Sequence, residues 1–318
     1  MFFNKQVAFF EVGQEIEGFY LIREVTHRIT VTNRPFLTLL LGDVSGTVEG
    51  KVWDYEGPLS HEDVGKVIKI RGSVTEYRSA IQLNITMLRL ATEKDEFDVS
   101  RLVETAPIDP EKSLEEISSC IDSIEDEDYQ KIARLLFERH KTRFAAIPAA
   151  KSVHHSFLNG LLMHTRNMLR LADYLSGLYA DTVDRSLLLA GTLLHDFAKE
   201  EEFRFSEIGV VRDYSVKGQL LGHLVMGAEE VEKAAAELKI PEEKSILLRH
   251  LILSHHGEPE YGAAVRPLCA EAELLSFIDM IDSRMEIYRE NFEKVPVGEF
   301  SDRIFSLDKK IYHHKDLN

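Results

Sequence analysis

The sequence predicts a chain in two parts: a small β-barrel over residues 1–92 and an all-helical domain over 151–318, joined by a helical connector over 93–150. Three observations carry this reading. Residues 15–92 show short β-branched and alternating runs cut by glycine turn signals. From the connector onward the apolar positions recur at helical spacing. Between the two lies a charged break, Glu93-Lys94-Asp95-Glu96, followed by Pro107 and Pro110.

In order, the strands are expected at Glu17–Val31, Phe36–Leu41, Thr47–Trp53, Val67–Tyr77 and Ile81–Leu90, with turns at Gly42-Asp43, Ser45-Gly46 and Arg78-Ser79-Ala80. Gly57-Pro58 and the polar stretch Leu59–Val64 interrupt them between the third and fourth. Five strands with that insertion fit a Greek-key barrel of the OB-fold type, whose second and third strands form the usual oligonucleotide face. Another small barrel or sandwich shares the pattern. On that face Arg34, Lys51 and Trp53, with Phe36, Tyr55 and Arg71, become candidates for base stacking and backbone contact.

In the connector, Ile117, Ile121 and Ile124, then Ile132, Leu135, Leu136 and Arg139, mark two helices. The acidic run Glu125–Asp128 suits the start of the second. After Pro148 nearly continuous helix is expected to about residue 293, and Tyr312–Asn318 reads as a polar tail whose His313 and His314 are exposed and inert.

Composition sets limits. At 318 residues, 44% hydrophobic and 29% charged, the chain reads as a soluble globular protein. No apolar run approaches the roughly 20 residues of a membrane span, and Met1-Phe2-Phe3-Asn4-Lys5 lacks the pattern of a secretory signal. Cys120 and Cys269, far apart and outside any paired motif, point to a reducing cytoplasm and away from a thiolate site. Net charge is −16. Residues 1–92 hold ten Lys/Arg against eleven Asp/Glu, the remainder 28 against 43. This excludes tight, nonspecific duplex binding but leaves open a site that captures phosphate through metal ions.

Eight of the 13 histidines fall between residues 154 and 256. His195-Asp196 closes the apolar run Leu187–Leu194, with Lys199 one turn further on the same face. His164 lies on the stripe Leu161, Met168, Leu171, Leu175. His223 follows Gly218-Gln219-Leu220-Leu221-Gly222. His255-His256 ends an apolar helix that Gly257 stops. His250 reads as core. Asp279 and Asp282 share the inner face of a helix marked by Leu275, Ile278 and Met285, where uncompensated carboxylates are costly. Imidazoles and carboxylates without thiolate suit a hydrolytic site, and six inward groups exceed the needs of one tetrahedral ion. No nucleophile elbow precedes a helix.

The order histidine, His-Asp, distant aspartate resembles the HD-domain metal-dependent phosphohydrolases. The flanking text is similar to the YhaM-type 3′–5′ exoribonucleases: His154-His155-Ser156-Phe157-Leu158-Asn159-Gly160-Leu161-Leu162-Met163-His164-Thr165, Leu189-Ala190-Gly191-Thr192-Leu193-Leu194-His195-Asp196, Gly218–His223, Leu253-Ser254-His255-His256-Gly257, and Glu271-Ala272 before Ile278-Asp279. That family also carries an N-terminal OB-like segment. The resemblance implies that His164, His195, Asp196 and Asp279 hold one divalent ion. Asp196 would bridge to a second, completed by His223 and His255 or His256, with His255 expected as the ligand and the other histidine contacting substrate. Manganese is expected, with Mg, Fe, Co or Zn as alternatives. Lys199 would contact phosphate, and His154 or His155 would contact substrate or support a ligand. The implied activity is removal of nucleotides from the 3′ end of single-stranded RNA, or DNA, by two-metal activation of water, in the cytoplasm, with no membrane partner and a homo-oligomer admitted. The sequence departs from that family at Ala263-Ala264, where Ser-Pro is expected, and at Lys217, where an acidic residue is frequent; both bear on substrate preference. Two other readings remain: a phosphohydrolase of small nucleotides or cyclic dinucleotides with a regulatory barrel, and a single-strand binder whose metal is structural.

Overall fold

A computed structural model describes residues 5–149, 157–206, 208–209 and 211–315. The chain forms two compact units, Met1–Thr105 with Phe205–Arg212, and Ala106–Arg204 with Asp213–Asn318.

The first unit is a closed barrel of β1 (Glu15–Ile29), β2 (Pro35–Asp43), β3 (Gly46–Trp53), β4 (Val67–Tyr77) and β5 (Ala80–Leu90), in the order β1-β2-β3-β5-β4. This is the predicted OB arrangement. The long β1 pairs with β4 over Glu15–Leu21 and with β2 over Leu21–Ile29, with a bulge between Ile22 and Glu24 that bends it and helps close the barrel. Inward positions alternate with outward ones, and Tyr20, Ile22, Leu37, Leu39, Leu41, Ile68, Ile70 and Leu83 fill the interior. Between β3 and β4 a short 3-10 turn, His61–Asp63, is held by a capping box in which Ser60 and Asp63 satisfy each other's backbone.

The second unit is helical: α1 (Pro110–Asp122), α2 (Glu127–Phe144), α3 (Gly160–Leu178), α4 (Arg185–Leu194), α5 (Lys199–Glu202), α6 (Val216–Leu238), α7 (Glu242–Ser254) and α8 (Ala270–Phe292). Asp109, Asp126 and Asp184 cap α1, α2 and α4 by accepting from backbone N–H groups of the first turn. Every residue of α4 from Ser186 to Leu194 is buried, as expected for a helix apolar all round, and α2, α3, α7 and α8 pack about it. No helix among the described residues is long and apolar enough to cross a membrane.

Two expectations are corrected. The run expected as helix contains a hairpin, β6 (Phe203–Phe205) and β7 (Val211–Tyr214). Its alternation is only a few residues long and sits beside the helix-favouring run Lys199–Glu202, so helical periodicity hid it. In the C-terminal tail His313 is not exposed and inert: it is half-buried, stacks on Phe292 at 4.5 Å and donates from Nδ1 to the Val295 carbonyl at 2.6 Å. His314 is exposed.

A buried clamp ties α2, α5 and α6 together. His140 reaches Glu200 Oε1 at 2.6 Å through Nδ1 and Glu230 Oε1 at 2.7 Å through Nε2. Burial alone would lower its pKa, but the two carboxylates outweigh burial and push the imidazole up to about 9. A raised folded-state pKa means stability that is full below the unfolded value near 6.5 and is lost as pH rises through 9. The stability gap between wild type and His140→Gln is therefore expected to be widest below pH ~6.5 and to close by pH ~9.5. Urea unfolding of both proteins over that range checks it; a constant gap would show that no charged pair forms.

Candidate metal centre

Asp196 is the point on which the inward groups converge. His195 and Asp196 follow the last turn of α4, where the final carbonyls lack helical partners. His195 Nδ1 donates to one of them, Thr192 O, at 2.8 Å. His255 repeats the device after α7, donating from Nδ1 to Ile252 O at 2.9 Å. A carbonyl can only accept, so in both rings the proton sits on Nδ1 and the Nε2 lone pair faces the centre. His164 in α3 and His223 in α6 use carboxylates instead. Nδ1 of His164 donates to Asp282 Oδ2 at 2.7 Å, and Asn167 Nδ2 holds the other Asp282 oxygen at 3.1 Å. Nδ1 of His223 lies 3.1 Å from both Glu202 oxygens.

Glycine places His223. At Gly222 the helix breaks, with φ 72° and ψ 159°, a conformation that other residues adopt only with strain. The freed His223 N–H donates to Glu202 Oε1 at 3.1 Å. A Cβ on Gly218 would come within 2.2 Å of the Glu202 carbonyl, so only glycine lets α6 approach α5 this closely.

Around Asp196 the Nε2 atoms stand at ligand-like spacing. His195 lies 3.3 Å and His164 4.0 Å from Oδ2; His223 lies 3.2 Å and His255 3.6 Å from Oδ1. His164 Nε2 is 3.3 Å from both His195 Nε2 and Asp279 Oδ1. Two groups of ligand-type atoms result, each within 4.8 Å: His164, His195 and Asp196, and His223, His255 and His256. Lys199 donates to Asp196 Oδ2 at 2.6 Å. His256 is tied to neither Asp196 nor a backbone carbonyl; its ring lies 4.3 Å from that of His255 and 5.3 Å from that of His223.

Charge states follow. Burial would raise the Asp196 pKa, but Lys199 and His195 hold it well below the carboxylate range. Asp279 is likewise held down, against burial, by His164. Burial lowers His255, and burial with the neighbouring His255 and His223 pushes His256 down to about 3. The carboxylates are thus ionised and these two imidazoles neutral at pH 7, the states that ligate cations. His164 goes the other way: despite burial, Asp279 and Asp282 push it up to about 9, so it holds a proton that a cation would displace.

The donor set fits a metal on independent grounds. Asp196 Oδ1, His223 Nε2, His255 Nε2 and His256 Nδ1 are buried without a hydrogen-bond partner. Orphaned polar atoms of this kind cost free energy, and here three of them, Asp196 Oδ1 with His223 Nε2 at 3.2 Å and His255 Nε2 at 3.6 Å, meet at one place.

Other expected residues are elsewhere. On the barrel, Phe36 and Trp53 form a cross-strand pair with ring centroids 5.1 Å apart, and Trp53 is 52% exposed. Lys51 sits over the Phe36 ring at 5.5 Å and is held by Thr38 and Glu49. Arg34 is exposed and pairs with Asp54 at 3.7 Å. Tyr55 packs on the barrel core, its hydroxyl accepting from Leu59 N, and Arg71 lies on β4 beside Glu17 and Met87, away from the β2–β3 pair. His154 and His155 lie outside the described residues. His250 is half-buried and accepts from Leu268 N at 2.9 Å. Sequence reasoning missed Glu202 and the carbonyls of Thr192 and Ile252. The unpaired carbonyls of a helix end are the one signal that could have found the latter.

The barrel is similar to the second OB-fold domain of replication protein A from Methanococcus maripaludis, at 11% identity and TM-score 0.24, covering 30% of this chain and all of that one. It is also similar to a replication protein A heterotrimer bound to ssDNA, at 12% identity and TM-score 0.21, covering 27% of this chain and 64% of that one. A third likeness is to the p204 HINb domain, at 16% identity and TM-score 0.24, covering 28% of this chain and 47% of that one. At these identities and scores no activity is transferred from those proteins. The family model of the HD domain matches residues 161–284, the stretch that holds His164, the His195-Asp196 pair, His223, His255, His256 and Asp279. The helical unit therefore carries an HD domain, the fold of metal-dependent phosphohydrolases.

Proposed function

We propose that the protein is a 3′–5′ exoribonuclease of the YhaM type, hydrolysing single-stranded RNA at a two-ion centre. The observation that carries this reading is the set of three orphaned, buried ligand atoms of Asp196, His223 and His255 beside the His164–His195–Asp279 group. His164, His195, Asp196 and Asp279 would hold one ion. Asp196, through its second oxygen, would share another with His223 and His255. Bound divalent ions supply Lewis acidity, lowering the pKa of water and drawing charge from the phosphoryl oxygens. Manganese is the ion we favour for this nitrogen- and oxygen-rich set.

The protein's own groups do the rest. Asp282, Glu202 and the Thr192 and Ile252 carbonyls fix the four rings so that no reorientation is needed when substrate arrives. Lys199, which donates to Asp196 Oδ2 at 2.6 Å, would pair with a phosphate held at the centre. On the barrel, the exposed Phe36–Trp53 pair offers stacking to successive bases, with Arg34 and Lys51 nearby for the backbone.

The test is a panel of 5′-labelled RNA and DNA strands, cyclic dinucleotides and mononucleotides with added manganese. The proposal requires strands to shorten stepwise from the 3′ end; hydrolysis confined to small nucleotides would favour the regulatory-barrel reading instead. A stacked base contributes roughly 1–3 kcal/mol. Trp53→Ala and Arg34→Ala are therefore expected to weaken binding of long strands, by about 5- to 100-fold for the tryptophan, with little change on dinucleotides. Affinity against strand length at fixed salt checks this. A loss equal at every length would remove the barrel from strand holding. Point variants suit the test better than truncation, because residues 205–212 group with the barrel unit.

A further inference from the structure

α8 has two faces. One, with Leu275, Ile278 and Asp282, is buried, and Asp279 beside them reaches the metal centre. The other runs through Phe277, Met280, Ile281 and Met285, which are 43–54% exposed. At about 100° per residue these four lie within one sector centred opposite Asp279. Single exposed apolar residues need no explanation, but four on one stripe expose roughly 400 Å² of apolar surface, the size that marks an interaction site.

The fold covers the continuation of this stripe. One turn past Met285, Tyr288 and then Phe292 pack against Leu307 and Ile311 of the C-terminal segment, and Lys309 lies over the Tyr288 ring at 5.5 Å. The same face is thus mainly apolar, closed by the chain itself at one end and left open from Phe277 to Met285, with Arg284 set into the last turn of the open part.

The charges at the ends of the open part identify the occupant. Glu273 stands at its N-terminal end and Arg284 at its C-terminal end, both exposed. Neither side chain forms an ion pair or hydrogen bond among the described residues. A second α8 laid antiparallel across the stripe, centred between Phe277 and Ile281, brings Glu273 of each copy beside Arg284 of the other. That is the self-complementarity a two-fold contact requires. We propose that the exposed stripe Phe277–Met285 of α8 is the contact surface between two copies of this chain, paired antiparallel about a two-fold axis. Aliphatic, aromatic and methionine side chains fill the middle, and two symmetric ion pairs close the ends. The stripe is smaller than the ~800 Å² per partner of a standard interface, so a weak, reversible dimer is expected. The pairing rests on α8 alone and stands whether or not the centre hydrolyses RNA.

Sedimentation velocity of the full chain, from low to several hundred micromolar, tests it. A reversible monomer–dimer equilibrium is expected. Ile281→Glu places an unpaired charge in the middle and is expected to weaken association at least ~100-fold. Glu273→Arg and Arg284→Glu each set like charges face to face and are expected to cost about 10-fold, while the double exchange restores wild-type association to within about 3-fold. All three substituted residues are exposed, so circular dichroism should be unchanged throughout. A monomer at every concentration, a dimer indifferent to Ile281→Glu, or a double exchange no better than the worse single variant would overturn the proposal.

Discussion

Asp196→Asn is expected to abolish hydrolysis while the protein stays folded. Asp196 is the one carboxylate that faces both histidine groups, His195 and His164 through Oδ2 and His223 and His255 through Oδ1. Asparagine keeps the shape but removes the charge and one of the two anionic oxygens. A centre that depends on sharing this group should lose at least about three orders of magnitude in rate, or about 4 kcal/mol of transition-state stabilisation. The readout is single-turnover cleavage of a labelled strand in saturating manganese, with circular dichroism as the control for folding. Turnover within about tenfold of wild type would contradict the shared-carboxylate arrangement.

The second large effect divides the adjacent histidines. His255 is anchored by the Ile252 carbonyl and turned to Asp196; His256 has neither tie, and its Nδ1 is buried without a partner. His255→Ala is expected to lose one bound ion and at least about a hundredfold in rate. His256→Ala is expected to keep most of the metal and to raise the KM for RNA. Elemental analysis of both purified variants, beside their kinetics, checks the split. Equal loss of metal would place both imidazoles on the ion.

The residues around this centre were legible in the sequence because periodicity reports direction. His164 sits on the Leu161–Met168 stripe and is buried; Asp279 sits among Leu275 and Ile278 and reaches it. The ends of α4 and α7 were legible too, since an apolar run gives way to His195-Asp196 in the first and to His255-His256-Gly257 in the second. What holds the rings was not. Glu202 lies in a run of charge that looks like any solvated helix, yet it is buried where α6 approaches closely at Gly218 and Gly222. On the barrel, strand periodicity could not separate Trp53 from Tyr55. Only the pairing of Phe36 with Trp53 across β2 and β3, and the Leu59 N–H that binds the Tyr55 hydroxyl, make one an open platform and the other part of the core.

The central claim is a pair of ions shared across Asp196, and counting them is its most direct test. The account predicts that the wild-type chain, equilibrated with manganese and freed of loose ions, retains two per chain by elemental analysis, and that Asp196→Asn retains fewer. A single ion in the wild type, or two in Asp196→Asn, would contradict it.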